Sequence, residues 1–219
     1  MKEILKIYDL QGECIGSIEK AEAHKRMRDE FFEKGATSIR HRHARVLLMT
    51  SKGHLILQRR SKWKGDNAGL WDKTIGGHVT EDDSYALTVL KECAEELGIP
   101  ATIVDEKEFL HTAQVTNLHV LGVLTKVAEL DNYQSFRLIK DGKKWIEPSI
   151  THFYFGYYDG AIQFIDEESC GIQTFMPEEI EEELKSHPEL FTDDMTYIME
   201  KLRPMLIPLT DKREPVKND

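Results

Sequence analysis

Apolar runs in this chain are short, and turn residues separate them. Ile4, Ile7 and Tyr8, a Gln11-Gly12-Glu13 turn and then Ile15 to Ile18 predict a strand pair. Residues 19–34 are charged and helix-like. Val46 to Met49, a turn at Ser51 to His54 and Leu55 to Leu57 form a hairpin pattern. A loop rich in Lys, Gly and Asn at 62–69 leads to Leu70-Trp71 and the Gly76-Gly77 pair. A helix is predicted next: Thr80 with Asp83 three residues on resembles a capping box, and Gly98 with Pro100 close behind ends it. Ala86, Leu90, Cys93 and Leu97 fall within about 60° of one another on its surface and predict its buried face. Strands are expected at 118–128 and 150–165, with a hairpin at Asp141-Gly142 between them. Pro177 opens a Glu-rich helix (178–184), and 193–203 predicts a last one. Interleaved strands and helices indicate a layered α/β or α+β domain.

Composition narrows the function classes. The chain has 219 residues, enough for one domain with additions, and its 40% hydrophobic and 31% charged content is that of a soluble protein. A formal charge of −10 argues against a nucleic-acid-coating role, which needs basic surface, but permits a small phosphorylated substrate held by local cations. Three widely spaced cysteines (Cys14, Cys93, Cys170) suggest neither a disulfide framework nor a zinc knuckle. The first residues show no signal-peptide pattern, and no stretch is apolar enough to span a membrane. A reduced, cytoplasmic protein is expected.

Glu92, Glu95 and Glu96 fall at i, i+3 and i+4, so their carboxylates are expected on one side of the helix, away from its apolar face. Glu92 and Glu96 repel at this spacing, and Lys91 pairs with Glu95 only in the less favourable order. A solvated acidic face is the ordinary reading of three such glutamates. Converging hard oxygens also suit Mg²⁺ or Mn²⁺.

The surrounding spacing, Gly77-x5-Asp83-x7-Lys91-Glu92-Cys93-x-Glu95-Glu96-x-Gly98-Ile99, resembles the Nudix box Gly-x5-Glu-x7-Arg-Glu-U-x-Glu-Glu-x-Gly-U, where U is bulky and apolar. Asp83 stands for Glu, Lys91 for Arg, and Cys93 fills a U position as a small hydrophobe. The resemblance implies an α/β/α sandwich around a mixed sheet, here with an N-terminal strand-pair extension. It divides the chain into residues 1–35, a Nudix domain at 36–205 and a tail at 206–219. It also implies metal ligands at Glu92, Glu95, Glu96 and the Gly76 carbonyl, with Asp83 and Lys91 as a supporting ion pair. Lys lacks the bidentate fork of Arg, which marks that pair as a site of altered chemistry. The implied reaction is water attack on a diphosphate with metal assistance, one of the glutamates or a more distant acid serving as base.

Outside the box, Ile18 to His24, His43, Leu57-Gln58-Arg59-Arg60 and Gly69-Leu70-Trp71 … Gly76-Gly77-His78 resemble, in order, the Nudix branch that contains isopentenyl-diphosphate isomerase. The resemblance implies a second metal at His24, His43 and His78, and diphosphate-holding cations at Lys20 and Arg59. The isomerase's catalytic cysteine falls at Gly76, and without a thiol allylic proton transfer loses an acid–base partner. The expected function is therefore a metal-dependent pyrophosphohydrolase. An isomerase and a non-catalytic diphosphate-binding module stand as alternatives.

Trp63 and Trp71 are expected to pack rather than stack on a base. Glu167 and Glu168 are candidates for the distant acid, and Cys170 lacks a nucleophile's partners in sequence. A small-molecule diphosphate is the expected partner, with a homodimer as the family habit and no membrane or nucleic acid.

Overall fold

The computed structural model describes residues 2–163 and 169–209. Among the described residues, ten strands share one mixed sheet. β1 (Ile4–Tyr8) and β2 (Cys14–Glu19) form a hairpin, followed by α1 (Lys20–Lys34), β3 (Arg40–Met49), β4 (Leu55–Arg60), β5 (Trp71–Asp72) and β6 (Ile75–His78). Then come α2 (Tyr85–Leu97), β7 (Ala101–Ile103), α3 (Glu106–Val115), β8 (Gly122–Leu138) and β9 (Lys144–Tyr157). β10 (Ser169–Phe175), α4 (Pro177–Ser186) and α5 (Asp193–Tyr197) complete the order, and a π-helical turn, Ile198–Leu202, prolongs α5.

The main path runs β10-β4-β3-β9-β8-β7. β3 pairs in parallel with β9, and β7 with β8; the other pairings are antiparallel. β3 changes partners along its length: β1 at Arg40 and His41, β6 from His43 to Val46, β4 at Leu48 and Met49. The N-terminal strand pair is thereby part of the sheet.

Ala44, Val46 and Leu48 pack under α2 with Val89, Cys93 and Leu97. Leu47 and Met49 face the opposite way, into a cluster with Phe109 of α3, Ile180 of α4 and Met195 of α5. This is the expected α/β/α sandwich. A third, smaller cluster seats Ala23 and Met27 of α1 on Leu5, Ile7, Ile39 and Trp145.

Three local expectations change. The N-cap of α2 is Ser84, whose hydroxyl accepts from the Leu87 amide at 3.1 Å, while Thr80 and Asp83 form the turn before it. Gly98 closes the helix as expected, at φ 63°. The buried face is Val89, Cys93, Glu96 and Leu97, with Ala86 exposed. β8 and β9 are longer than apolar runs indicate, because they continue as a two-stranded arm into the turn at 139–143.

Candidate active site

Side-chain alternation on three neighbouring strands builds the site's floor. On one face β3 presents His41, His43 and Arg45, then Leu47 and Met49. In parallel register, β9 presents Trp145, Glu147, Ser149 and Thr151, then Phe153 and Phe155. β8 adds Tyr133, Ser135 and Arg137. Each strip is apolar at one end and polar at the other, and the polar ends lie together. They floor a cavity of about 280 Å³, to which α1 contributes Lys20, His24 and Arg28 at i, i+4 and i+8.

His24, His41, His78 and Glu147 converge there, each offering a ligand atom within 4.8 Å of all the others. Glu147 Oε1 lies 2.9 Å from His24 Nε2, 3.1 Å from His41 Nε2 and 3.6 Å from His78 Nε2. His24 Nε2 and His78 Nε2 are 3.0 Å apart. Donors about 2.1 Å from one ion would sit about 3 Å from each other, so these spacings suit a single transition-metal dication. Burial holds His41, His43 and His78 below the usual imidazole value, in the neutral form that ligates. Burial alone would raise Glu147, but Arg137 and His24 hold it well below the usual carboxylate range. Arg137 anchors its outer oxygen at 2.5 Å.

This grouping corrects the residue resemblance suggested. His41, not His43, joins His24 and His78. His43 lines the cavity, but its Nδ1 meets the Ala44 carbonyl at 2.9 Å. Both are inward-facing, two apart on β3, so strand periodicity could not choose between them. No local pattern marks Glu147, which lies between the two expected strands and is brought into the site by the N-terminal extension of β9.

The box glutamates divide around His78. Glu96 is 5% exposed and lines the same cavity as the histidines. Glu92 and Glu95 line a neighbouring cavity of about 410 Å³ with Asp83 and Lys91, and His78 borders both. Glu96 thus belongs to the buried face of α2, contrary to a single outward acidic side. The Glu92 side chain lies against Gly77 so closely that a Cβ there would overlap its carboxylate. Lys91 Nζ lies 3.0 Å from Asp83, and that contact lowers the Asp83 pKa.

A buried ion-pair chain underlies the cavity. Asp194 of α5 receives Arg45 Nε at 2.9 Å, the Tyr133 hydroxyl at 3.0 Å and the Ser135 hydroxyl at 2.9 Å, with Lys73 Nζ at 2.7 Å. Asp72 receives Lys73 Nζ at 3.2 Å, Thr192 at 2.7 Å and Arg60 at 3.4 Å. Arg60 and Lys64 line the cavity, as does Lys20, whose ammonium pairs with Glu3 at 2.5 Å. Arg59 points out of the opposite side of β4: it donates to the Gly69 carbonyl at 3.1 Å and lies over Trp71. Of the two, Arg60 faces the cavity, on the same side of β4 as Gln58, where the resemblance implied Arg59.

Trp71 packs against Phe175, as expected, but Trp63 is 74% exposed and is no packing residue. Burial pushes the Cys93 thiol up to about 12, as for a core residue. Glu167 and Glu168 lie outside the described residues. No helix among the described residues is long and apolar enough to cross a membrane.

Comparison with known proteins places the architecture. The NUDIX domain family profile matches residues 39–195. The chain is 26% identical over 202 residues to isopentenyl-diphosphate Delta-isomerase of Serratia proteamaculans, covering 92% of each protein. It is 32% identical over 104 residues to an uncharacterized Nudix hydrolase of Pseudomonas aeruginosa, covering 48% of this chain and 55% of that one. The crystal structure of DR0079 from Deinococcus radiodurans superposes with a TM-score of 0.63 at 17% identity, over 91% of this chain and 98% of that one, a likeness of fold. With the profile spanning β3 to α5 and the α/β/α sandwich around it, the chain belongs to the Nudix family.

Proposed function

We propose that the protein is a pyrophosphohydrolase that cuts the diphosphate linkage of an organic diphosphate, nucleoside-diphosphate-linked compounds included. Glu92, Glu95 and Glu96 would hold Mg²⁺ or Mn²⁺, together with the Gly76 carbonyl. The observation that carries this reading is the cradle at Gly77: only a residue without Cβ leaves room for the Glu92 carboxylate against the β6 backbone. A helix with merely solvated glutamates would have no use for that fit.

A divalent ion bound there would supply charge neutralisation of the phosphoryl oxygens and a more acidic water. The chain's own residues do the rest. Arg60, Lys64 and Lys20, which line the same cavity as Glu96, present cations to phosphate oxygens. A water oxygen bonds to phosphorus as the bond from phosphorus to the bridging oxygen breaks. The bridging oxygen keeps the electron pair and leaves on phosphate, and the water proton passes to a carboxylate, a role that the burial of Glu96 in the cavity wall supports for Glu96.

The His24–His41–His78–Glu147 group favours a second reading, an isomerase acting on a prenyl diphosphate. Gly76 opposes it, since no thiol stands at that position for proton transfer.

The test is a diphosphate panel with Mg²⁺ and Mn²⁺, scored for released phosphate or nucleoside monophosphate. Turnover is expected with wild type and a loss of at least about 100-fold with Glu96→Gln. Unchanged turnover in that variant would remove the box assignment. Solvent deuterium entering an unhydrolysed prenyl diphosphate would establish the isomerase instead.

A further inference from the structure

We propose that Lys73 is a catalytic residue, its ammonium group taking the place of a side chain at position 76 and binding the phosphate oxygens at which the substrate is cut. The inference rests on the diphosphate reading above.

Lys73 lies in the Lys73-Thr74 link between β5 and β6, and only 3% of its side chain is exposed. Its side chain nevertheless lines the cavity that holds Glu96 and the histidines. Burying an ammonium costs several kcal/mol unless partners hold it. Here Asp194 at 2.7 Å and Asp72 at 3.2 Å do so, both fully buried. Neither aspartate depends on Lys73 alone, because Arg45 stands 2.9 Å from Asp194 and Arg60 3.4 Å from Asp72. Asp194 takes one of the three N–H donors of the ammonium, and the two Asp72 oxygens, at 3.2 and 3.3 Å, lie on one carboxylate and share a second, which leaves the third for a ligand.

Gly76 gives the arrangement its direction. A Cβ there would stand 2.8 Å from Lys73 Cε, 3.2 Å from Lys73 Nζ and 3.3 Å from His43 Cε1. The space next to the β6 backbone that a residue 76 side chain would fill is taken by the end of the Lys73 side chain, Cε foremost and Nζ beside it. Glycine at 76 and lysine at 73 are therefore one device. It replaces a group that could exchange a proton with carbon by a fixed positive charge.

Such a charge suits phosphoryl transfer, in which negative charge builds on the leaving and non-bridging oxygens. Lys73 makes and breaks no bond in the step described above. Because the two aspartates fix it beforehand, it reaches the transition state with little reorganisation.

The test uses full-length protein loaded with Mg²⁺ and a substrate found in the panel. Lys73→Gln keeps amide donors for the aspartates but removes the charge. The expected result is kcat lowered about 100-fold and KM raised, with partial recovery of both in Lys73→Arg. Gly76→Ala, with Lys73 intact, should lower kcat by displacing the ammonium, and the double variant should be no slower than Lys73→Gln alone. Unfolding midpoints and metal content are measured on every variant. A Lys73→Gln protein that is folded and within threefold of wild-type kcat overturns the proposal, as does a double variant in which the two losses multiply. Should Lys73→Gln fail to fold, Gly76→Ala decides: unchanged kcat overturns the proposal, and a fall restored by no added Mg²⁺ supports it. If wild type cuts nothing in the panel, the hydrolase reading fails separately. Titration with inorganic diphosphate then decides for Lys73, an affinity drop of tenfold or more in Lys73→Gln supporting the contact and equal affinity overturning it.

Discussion

Glu147 shows how much one residue can carry when both its oxygens are committed. Its Oε1 faces three histidines, and its other oxygen accepts from Arg137, a buried guanidinium. Glu147→Gln removes the charge that both sides need. Breaking one partner from a buried ion pair costs about 3–5 kcal/mol, so its urea midpoint should fall sharply and its metal content at the histidine group should drop. His41→Ala leaves the Arg137 pair intact. It should lose the metal with a much smaller change in midpoint, and equal destabilisation of the two variants would show that Glu147 is not the shared anchor. The Asp83–Lys91 pair is a different case. The lysine side chain is 44% exposed, which limits the pair to about 0–1 kcal/mol. Lys91→Arg should therefore leave unfolding nearly unchanged, and any effect it has should appear in turnover.

Elements decide which of these residues meet, and α1 is the clearest example. It contributes Lys20, His24 and Arg28 to the cavity from one stripe, and its hold on the sheet is the small cluster around Ala23 and Met27. Met27→Ala removes a fully buried side chain at about 2–5 kcal/mol. Much of that loss should be local, loosening α1 and withdrawing His24. Metal affinity at the histidine group should fall while α2 and its glutamates keep theirs, as competition titrations at the two sites would show. Equal loss at both sites would mean that α1 is not an independent support. Element scale is also where sequence reading succeeded and failed. The α2 helix and its stop at Gly98 were legible because spacing along one helix is a local property. His41 and Glu147 were not, since their meeting depends on the parallel register of β3 with β9, set by residues some hundred positions apart. Arg59 and Arg60 were confused for a related reason: alternation says that one of two adjacent residues faces inward, and only the partner sheet says which. The rotation of Glu96 onto the buried face of α2 likewise needed the cavity beside it, because a carboxylate counts as surface until something polar lies beneath it.

At the scale of the whole molecule, the site keeps three histidines neutral inside a chain of formal charge −10, and this has a pH consequence. His41, His43 and His78 all have folded pKa values below their unfolded ones, chiefly from burial. Above about pH 6.5 they are neutral in both states and contribute nothing to pH dependence. As pH falls below that, the unfolded chain takes up protons that the folded chain refuses, and stability drops by up to about 1.4 kcal/mol per pH unit for each histidine. Glu147 acts in a lower window: its folded pKa is depressed, so its contribution is complete above about pH 4.3 and is lost as pH falls through the folded value. The two windows separate the histidine effect from ordinary acid unfolding. Urea midpoints of metal-free protein should fall as pH drops from about 6.5 to about 5.5, and His43→Phe, which removes one proton acceptor from the unfolded state, should flatten that slope. A bound dication would steepen it, because protons and metal compete for the same imidazole nitrogens. Flat midpoints across this range in the metal-free protein would mean that the histidines titrate in the folded state as they do in the unfolded chain, and the neutral, ligand-ready group described above would have to be abandoned.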